Sequence, residues 1–586
     1  MKRLLILPLL LVTFMLSAAP IGEKRAREIA TSFFASATTR STTPALELEW
    51  AGEKMDGRSI APLSATNQEE AMLYIYNRTD AQGFVVVAGD DGMESAIVAF
   101  SHDNHLQVEN LSEGARYLLA GWCREIAAVR KSGAKPTRSS VGVGTVEQQY
   151  QTALWNQGTP FNDEAPVMDG HRAVTGCVAT AMSILCYYHK WPERGVGTTP
   201  TYSYEDAYGT TRQVPANTLG RTYNYSGMRS DNYTSGYTTS EGAAVAALMK
   251  DMGTSVQMMY HYSGSGAYDV NVPVALYTYF GYSKSSLLVY GDGYARYEWA
   301  DALKKNIAQY GPTYFSGQSE EGGHAFVLDG YTSANYFHIN YGWGGVDNGY
   351  YLLPSIEYAV GQTAMFYLEP DRNGTSTYRD SLSLIYFSWE GGEYNGLSSD
   401  TNEYKSGVPF NLDFGAIWNT GNVNFEGLLQ VALCNEQGSI KETLDTFSIS
   451  LEPSYITAGQ GTFTINSQIA SGDRIRVLYK GQYSQDWQWM KRSGSLNVVD
   501  EIVVSLAAED IAKSLGIKYN KESKQLSFRS LYNLTFEITS SVADFNMSGS
   551  VESGTPKVID ISSWNPGRYV VSFRRDDAVY NLTLIL

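Results

Sequence analysis

The chain has 586 residues, a length that excludes a single compact domain, because one hydrophobic core rarely extends beyond about 300 residues. Its composition, 43% hydrophobic and 18% charged, excludes a disordered, collagen-like or polytopic membrane protein. The net charge of −17 argues against a nucleic-acid partner, and four cysteines are too few for a disulfide framework.

Residues 1–19 have the pattern of a secretory signal peptide. Lys2 and Arg3 precede an apolar run from Leu4 to Leu16, and small residues follow. This run is shorter than the ~20 residues that a membrane-spanning helix needs. The sequence therefore predicts a protein secreted to the extracellular space or the cell surface, without a transmembrane segment.

Residues 20–138 are predicted to form a separate α+β domain. Helical periodicity over residues 22–38 and 114–131 flanks strand patterns over residues 71–76 and 83–87. A domain of this kind ahead of a larger region is consistent with a segment that is removed after export.

The composition and the predicted secondary structure change twice along the rest of the chain. A small, polar and basic linker at residues 131–140 has the composition of an exposed segment where processing occurs. Residues 139–372 are rich in Gly and Tyr and mix helix and strand signals. Short alternating strands then predict a β-sandwich, immunoglobulin-like domain over residues 373–500 and a further β domain over residues 501–586. The final strand pattern, at residues 567–573, is vaguely similar to C-terminal sorting domains.

Cys177 is the candidate nucleophile. It follows Gly176 in an apolar stretch without a helix breaker before Pro192, which predicts a buried helix with the cysteine in its first turn. Unpaired N–H groups at a helix start favour a thiolate, and the glycine is expected to leave room for a substrate backbone. Cys186 lies too far along that helix for a disulfide. From this segment alone, a small core residue is a slightly better interpretation of Cys177 than a nucleophile.

His324 and Asn340 are the candidate partners of the thiol. His324 follows two glycines at the start of an apolar strand, and a turn leads to a second strand that ends at Asn340. Asn340 could then accept the ring N–H of His324, and Trp343 could shield that hydrogen bond from water. His338, on the same strand face as Asn340, is the rival base. Each residue alone is more often structural, but the ordered set indicates a catalytic site.

Gln157 completes the candidate site. It lies in a turn about twenty residues before Cys177. Its side-chain amide and the backbone N–H of Cys177 could together hold a developing oxyanion. The Cys and His residues lack the spacing of metal ligands, so the sequence predicts no metal site.

In these segments the chain resembles the streptopain family of secreted bacterial cysteine peptidases. The strings that carry the resemblance are Asn156-Gln157-Gly158, Thr175-Gly176-Cys177-Val178-Ala179-Thr180-Ala181, Gly322-Gly323-His324-Ala325-Phe326-Val327 and Asn340-Tyr341-Gly342-Trp343-Gly344-Gly345. Tyr341 departs from the family pattern, which has Trp there, but this exchange of aromatic side chains leaves the catalytic residues intact. The resemblance continues over residues 247–282 and, less closely, over the N-terminal domain.

The resemblance implies a fold and a mechanism. The fold is a papain-like α+β peptidase domain over residues 139–372, preceded by an inhibitory propeptide domain. Cys177 would be the nucleophile, His324 the general base and then acid, Asn340 the group that orients the imidazole, and Gln157 the oxyanion donor. The reaction would be peptide hydrolysis through a thioester.

The same resemblance indicates the partners. An extended substrate would lie across Gly266 and Gly323, where missing side chains allow backbone hydrogen bonds, close to Trp343. Protein or peptide substrates are the expected partners, together with the chain's own propeptide as an intramolecular inhibitor. No metal or organic cofactor is implied.

Two other functions stay open at this point. Another Cys/His acyl transferase, such as a transglutaminase-like enzyme, would use the same residues and would release ammonia from glutamine donors. A surface adhesin would keep the papain-like region only as a scaffold, and Cys177 would then fail to react with a thiol-directed peptide. The intact set of catalytic residues favours the peptidase.

Overall fold

The computed structural model describes residues 19–36, 43–55, 70–132, 142–206, 208–319, 322–355, 359–389, 392–504, 508–520, 523–540, 545–565, 567–575 and 578–585. The predicted signal peptide up to residue 18 and most of the predicted linker, residues 133–140, lie outside the described residues. The chain divides into two compact units, Met1–Arg379 and Asp380–Leu586. No helix within the described ranges is long and apolar enough to cross a membrane.

The N-terminal region of the first unit consists of a small sheet with a helix on each face. Its elements are α1 Glu23–Ser36, β1 Leu46–Gly52, β2 Leu73–Arg78, β3 Phe84–Ala88, β4 Ile97–Ser101 and α2 Glu113–Ser132. Alternate residues of a strand point to opposite faces, so Val85 and Val87 pack with α1, whereas Phe84 and Val86 pack with α2. The predicted α+β composition of this region is confirmed.

The remainder of the first unit mixes helices and strands. Its elements are β5 Val146–Gln149, β6 Val167–Met168, β7 His171–Arg172, α3 Cys177–His189, β8 Tyr202–Glu205, β9 Thr211–Val214, α4 Thr239–Ser255, α5 Asn271–Tyr279, β10 Leu287–Tyr290, α6 Arg296–Tyr310, β11 Thr313–Ser319, β12 Gly322–Thr332, β13 Tyr336–Asn340, β14 Gly349–Leu352 and β15 Thr363–Phe366. Helix α3 is almost wholly buried, and it ends where Lys190 adopts the left-handed conformation, ahead of Pro192.

One antiparallel sheet runs through both regions of the first unit. Its strand order is β1-β2-β3-β4-β14-β13-β12-β11-β15-β10, and β5 also pairs with β12. Strand β4 joins β14 where Phe100 pairs with Tyr350. The backbone groups at the edge of β4 are satisfied by β14, and the predicted boundary of the N-terminal domain at residue 138 stays a prediction. The two regions therefore form one compact unit.

Strand β12 packs against α2 of the N-terminal region on one face and against α3, the helix of Cys177, on the other. Its Phe326 and Leu328 pack in the core that contains α2, and its Ala325 and Val327 pack in the core that contains α3. The alternation follows from the two-residue period of a strand. Strand β12 is thus the element that a helix of the N-terminal region and the helix of Cys177 share.

The second unit is built almost entirely from strands. Its elements are β16 Leu382–Leu384, β17 Tyr386–Trp389, β18 Gly392–Asn395, β19 Leu397–Ser399, β20 Pro409–Asn419, β21 Phe425–Cys434, β22 Ile440–Leu451, β23 Ile456–Thr464, β24 Arg474–Gly481, β25 Gln488–Trp489, β26 Glu501–Val503, α7 Ala508–Ser514, β27 Gly516–Asn520, β28 Gln525–Arg529, β29 Leu534–Ser540, β30 Phe545–Val551, β31 Lys557–Asp560, β32 Arg568–Arg575 and β33 Ala578–Ile585. The sequence analysis did not predict the short helix α7.

Two hydrophobic cores organise these strands. Phe414 of β20 and Val431 of β21 belong to one core, to which two different sheets contribute. Phe528 of β28 and Phe573 of β32 belong to the other, again between two sheets. Pairs of sheets around one core are the arrangement of β-sandwiches, so the predicted β-rich C-terminal region is confirmed. The sorting role suggested for its last strands stays a prediction.

Candidate active site

Cys177 is the first residue of α3, as the sequence predicts, and it is partly buried. Gly176 precedes it with φ 85° and ψ 146°, a conformation that only glycine adopts readily. A Cβ added to Gly176 would lie 2.7 Å from Sδ of Met258 and 2.9 Å from the carbonyl oxygen of Ser265. The space next to this glycine is therefore filled by the protein itself and is not left for a substrate backbone.

The thiol of Cys177 lies in an environment that keeps it protonated. Burial raises its pKa to about 11; N–H groups of Ala325 and Val178 hydrogen-bond the sulfur and oppose this shift, whereas the carboxylates of Glu113 and Asp269 add to it. The helix start does favour the thiolate, but desolvation outweighs it. In this form of the chain the candidate nucleophile is a neutral thiol at neutral pH.

His324 lies on β12, opposite Gly317 of β11, and is 8% exposed. Its Nδ1 is 3.0 Å from Oε2 of Glu113, the first residue of α2. This contact lowers the pKa of the Glu113 carboxyl, because the ring of His324 favours the carboxylate form. The next residue, Ala325, gives its N–H to the sulfur of Cys177. The structure thus places the sulfur of Cys177, at the start of α3, beside the residue of β12 that follows His324, and the ring of His324 contacts Glu113 of α2.

A second carboxylate anchors the start of α2. The N–H of Ser112 donates to Oδ2 of Asp347 at 2.6 Å, and both residues are buried. Asp347 lies four residues after Trp343, in the loop between β13 and β14. Burial raises the pKa of Asp347 to about 6. The sequence analysis missed Glu113 and Asp347; Ser112-Glu113 at a predicted helix start was the available signal, but it does not reveal a partner more than 200 residues away.

Asn340 ends β13 in register with Val327 of β12, three positions from His324. Its Nδ2 donates to Oγ1 of Thr152 at 2.9 Å and to the carbonyl oxygen of Ala153 at 2.8 Å. Its Oδ1 accepts the N–H of Gly342 at 3.1 Å. These contacts fix the amide at the end of β13, three residues along β12 from His324. The hydrogen bond from the imidazole to Asn340 stays a prediction.

His338, the rival base, is bound elsewhere. Its Nδ1 is hydrogen-bonded to the carboxylate of Asp329 on β12. Burial lowers the pKa of the His338 ring, but the Asp329 carboxylate raises it by more, and the net shift is upward. The ring also packs against Tyr350, with centroids 5.0 Å apart. This histidine is engaged in a buried ion pair with β12, and the choice of His324 as the base stays a prediction.

The loop that carries Gln157 runs beside the start of α3. The N–H of Thr175 donates to the carbonyl of Gln157 at 3.1 Å, two residues before Cys177, and Gln157 is partly buried. The N–H of Gln157 is in turn bonded to Oδ1 of Asn156 at 2.7 Å. The structure therefore places the predicted oxyanion donor in the segment adjacent to the nucleophile.

The predicted substrate-binding residues differ in their surroundings. An added Cβ would meet no atom within 4 Å at Gly266, and at Gly323 its nearest neighbour would be a backbone oxygen 3.8 Å away. Both glycines therefore leave open space. Trp343 is partly buried and packs against the core that contains α2. Their roles in substrate binding stay predictions.

Known proteins resemble this chain over most of its length. The Peptidase C10 family model matches residues 155–351, and the Spi protease inhibitor model matches residues 18–126. The thiol protease/hemagglutinin PrtT of Porphyromonas gingivalis is 31% identical over 534 residues, which cover 87% of this chain and 59% of PrtT. The chain thus spans less than two thirds of that relative.

Two further proteins resemble parts of the chain. Streptopain of Streptococcus pyogenes is 30% identical over 303 residues, which cover 48% of this chain and 74% of streptopain. A solved fragment of prointerpain A from Prevotella intermedia is 26% identical, with a TM-score of 0.44, and the match covers 57% of this chain and 100% of the fragment. The identity to streptopain over about three quarters of its length confirms the resemblance found in the sequence. The chain therefore belongs to the Peptidase C10 family, the family of cysteine peptidases that contains streptopain.

Proposed function

We propose that this chain is the precursor of a secreted cysteine endopeptidase that hydrolyses peptide bonds in protein substrates. The supporting observation is the thiol of Cys177 at the first position of a buried helix, bonded to β12 one residue from His324. Residues 20–138 would be the inhibitory propeptide, residues 139–372 the peptidase domain and residues 373–586 accessory β structure. Residues 1–19 would direct export.

The reaction would proceed by acyl transfer. His324 removes the proton of Cys177, and the sulfur attacks the carbonyl carbon of the scissile peptide. The N–H of Cys177 and the side chain of Gln157 stabilise the oxyanion, and Asn340 orients the imidazole. The leaving amine takes the proton from His324, and a thioester remains. Water then attacks the thioester with His324 as the base, releasing the acid and restoring the thiol. No cofactor takes part in these steps.

We infer that the start of α2 keeps the precursor inactive. Glu113 holds the ring of His324, and the same carboxylate adds to the raised pKa of Cys177. Neither the base nor the nucleophile is then available for the first step. Departure of α2 would release the ring and remove one negative charge from the surroundings of the thiol.

Substitution of the nucleophile tests this proposal. We expect Cys177→Ala to keep the fold and to lower hydrolysis of a denatured protein by about 10⁴-fold or more, because the thioester cannot form. The full-length precursor is incubated with and without a thiol-blocking reagent, and the new N-terminus is sequenced. Hydrolysis or self-processing by Cys177→Ala would contradict the assignment.

Cys186→Ala is the matched control. Cys186 lies in the same helix, is buried, and has its sulfur 3.5 Å from the hydroxyl of Tyr282. This variant removes a thiol from α3 without touching β12. We expect it to process itself and to hydrolyse substrate, so a loss confined to Cys177→Ala identifies the nucleophile.

A further inference from the structure

A carboxylate lies beside the candidate nucleophile without a role in the proposed reaction. Asp269 follows the open Gly266 by three residues and precedes α5. It accepts a hydrogen bond from the hydroxyl of Tyr314, and its Oδ2 accepts one from Oγ of Ser316 at 2.7 Å. Ser316 is in register with Ala325, which donates to the sulfur of Cys177. Asp269 is thus connected to the strand pair that carries the reacting groups.

No Lys or Arg side chain in the described ranges forms an ion pair with Asp269, and the groups that shift its pKa include no cation. Its surroundings are poor in solvent, and burial raises the pKa of the carboxyl while the hydroxyls of Tyr314 and Ser316 oppose the shift in part. A desolvated carboxylate is costly until a counter-charge approaches it. The charge also reaches Cys177, whose pKa it helps to raise.

Asp269 lies in an exposed stretch of the chain. Asp269 is partly exposed, and the residues on either side of it, Tyr268 and Val270, are 68% and 53% exposed. Gly266 adds open space next to them, with no atom within 4 Å of an added Cβ. A side chain of a substrate lying along this loop would therefore meet an anion held in place by two hydroxyl groups.

We propose that Asp269 is a specificity-determining residue that binds a Lys or Arg side chain of the substrate close to the scissile bond. This inference rests on the proposed peptidase function. A guanidinium or ammonium group would supply the counter-charge that Asp269 lacks and would form charge-assisted hydrogen bonds with its oxygens. It would also offset the charge that disfavours the Cys177 thiolate, so a basic substrate would assist the attack as well as bind.

Paired peptides that differ only in charge test the proposal. Arginine and citrulline have nearly the same shape, and only arginine carries a positive charge. The full-length protein is allowed to process itself, and kcat/KM is measured for peptides with Arg or citrulline at each of the three positions before the scissile bond. We expect the Arg peptide to be favoured at one position by on the order of 10- to 100-fold, the range for hydrogen bonds to charged groups.

Asp269→Asn should reduce this Arg-to-citrulline ratio to about one. The ratio compares two substrates on the same enzyme preparation, so a change in the folded fraction cancels. Asp269→Ser is a second neutral variant, to be used if Asp269→Asn does not fold. The control is Asp251→Asn, which neutralises a buried carboxylate in α4 that accepts from the hydroxyl of Tyr223 at 2.8 Å. It should leave the ratio unchanged.

The possible results separate this inference from the function on which it rests. Equal hydrolysis of Arg and citrulline peptides by the unmodified protein would overturn the inference alone. An Arg preference that survives in Asp269→Asn would assign Asp269 only to bracing Tyr314 and Ser316, and would also overturn it. Failure of the unmodified protein to hydrolyse any peptide would overturn the proposed peptidase function and this inference with it.

Discussion

Two helix starts meet strand β12, and they are held there by different physical means. Helix α3 brings Cys177 to the strand through packing and backbone hydrogen bonds. Helix α2 brings Glu113 to His324 through contacts between groups that can gain or lose a proton. Both helices also pack in buried cores, so the difference lies at their starts. The start of α3 is fixed by packing, whereas the start of α2 is held by contacts that a change of pH can weaken.

The packing at α3 leaves little freedom. Gly176 has a conformation specific to glycine and is enclosed by Met258 and Ser265. Oγ1 of Thr180 donates to the carbonyl of Gly176 at 2.9 Å, inside the first turn. None of these contacts involves an ionisable group, so the position of the thiol should not depend on pH.

The anchoring of α2 relies on two carboxylates from different regions. Glu113 belongs to the N-terminal region and contacts His324, whereas Asp347 belongs to the peptidase region and accepts the N–H of Ser112. Their pKa values shift in opposite directions: downward for Glu113, which faces the ring, and upward to about 6 for Asp347, which is desolvated. The charged form is thus favoured at Glu113 and disfavoured at Asp347.

The largest effect is expected at the packed helix start. Gly176→Ala forces a side chain into a glycine conformation and against Met258, which should cost about 3 kcal/mol or more of unfolding free energy. Ser112→Ala at the start of α2 removes the hydroxyl that accepts the N–H of Ala115 at 3.3 Å, and should cost about 1 kcal/mol. Urea unfolding of the full-length protein measures both. A smaller loss of unfolding free energy in Gly176→Ala than in Ser112→Ala would contradict the conclusion that the start of α3 is the more firmly held of the two.

The next effect concerns the reactivity of the thiol. With a pKa of about 11, against an ordinary value of 9.0, Cys177 of the precursor should be thiolate at neutral pH about 100-fold less often than an unperturbed cysteine. Its alkylation by iodoacetamide should therefore rise about tenfold per pH unit from pH 7 to pH 10, without a plateau. Peptide mass spectrometry locates the modification, and the three buried cysteines serve as internal controls. A plateau below pH 8 in the unprocessed chain would contradict the raised pKa.

Much of this arrangement can be predicted from the sequence. Contacts between segments that are distant in the chain cannot. The helix of Cys177, the strand of His324 and the strand of Asn340 follow from local apolar patterns and glycines, so the sequence predicts each of them. The raised pKa of Cys177 cannot be predicted from local patterns, because burial and the charges of Glu113 and Asp269 come from other parts of the chain. The peptide dipoles at a helix start lower the pKa of a cysteine there, but at Cys177 desolvation raises the pKa by more.

The smallest expected effect is at the titratable contact itself. Since His324 lowers the pKa of Glu113, the contact stabilises the precursor above the ordinary pKa of a glutamate, and this stabilisation is lost as the pH falls through the lowered value. The Glu113 side chain is 56% exposed, so solvent screening limits the contact to roughly 1 kcal/mol or less. Glu113→Gln should therefore speed self-processing about 2- to 5-fold at pH 7.5, and the difference from the unmodified chain should vanish in acid. Glu109→Gln, an exposed residue just before α2, is the control and should process at the unmodified rate. An equal acceleration in both variants would mean that net charge acts on the precursor. No acceleration in Glu113→Gln would mean that the packing of α2 holds its start in place without this contact.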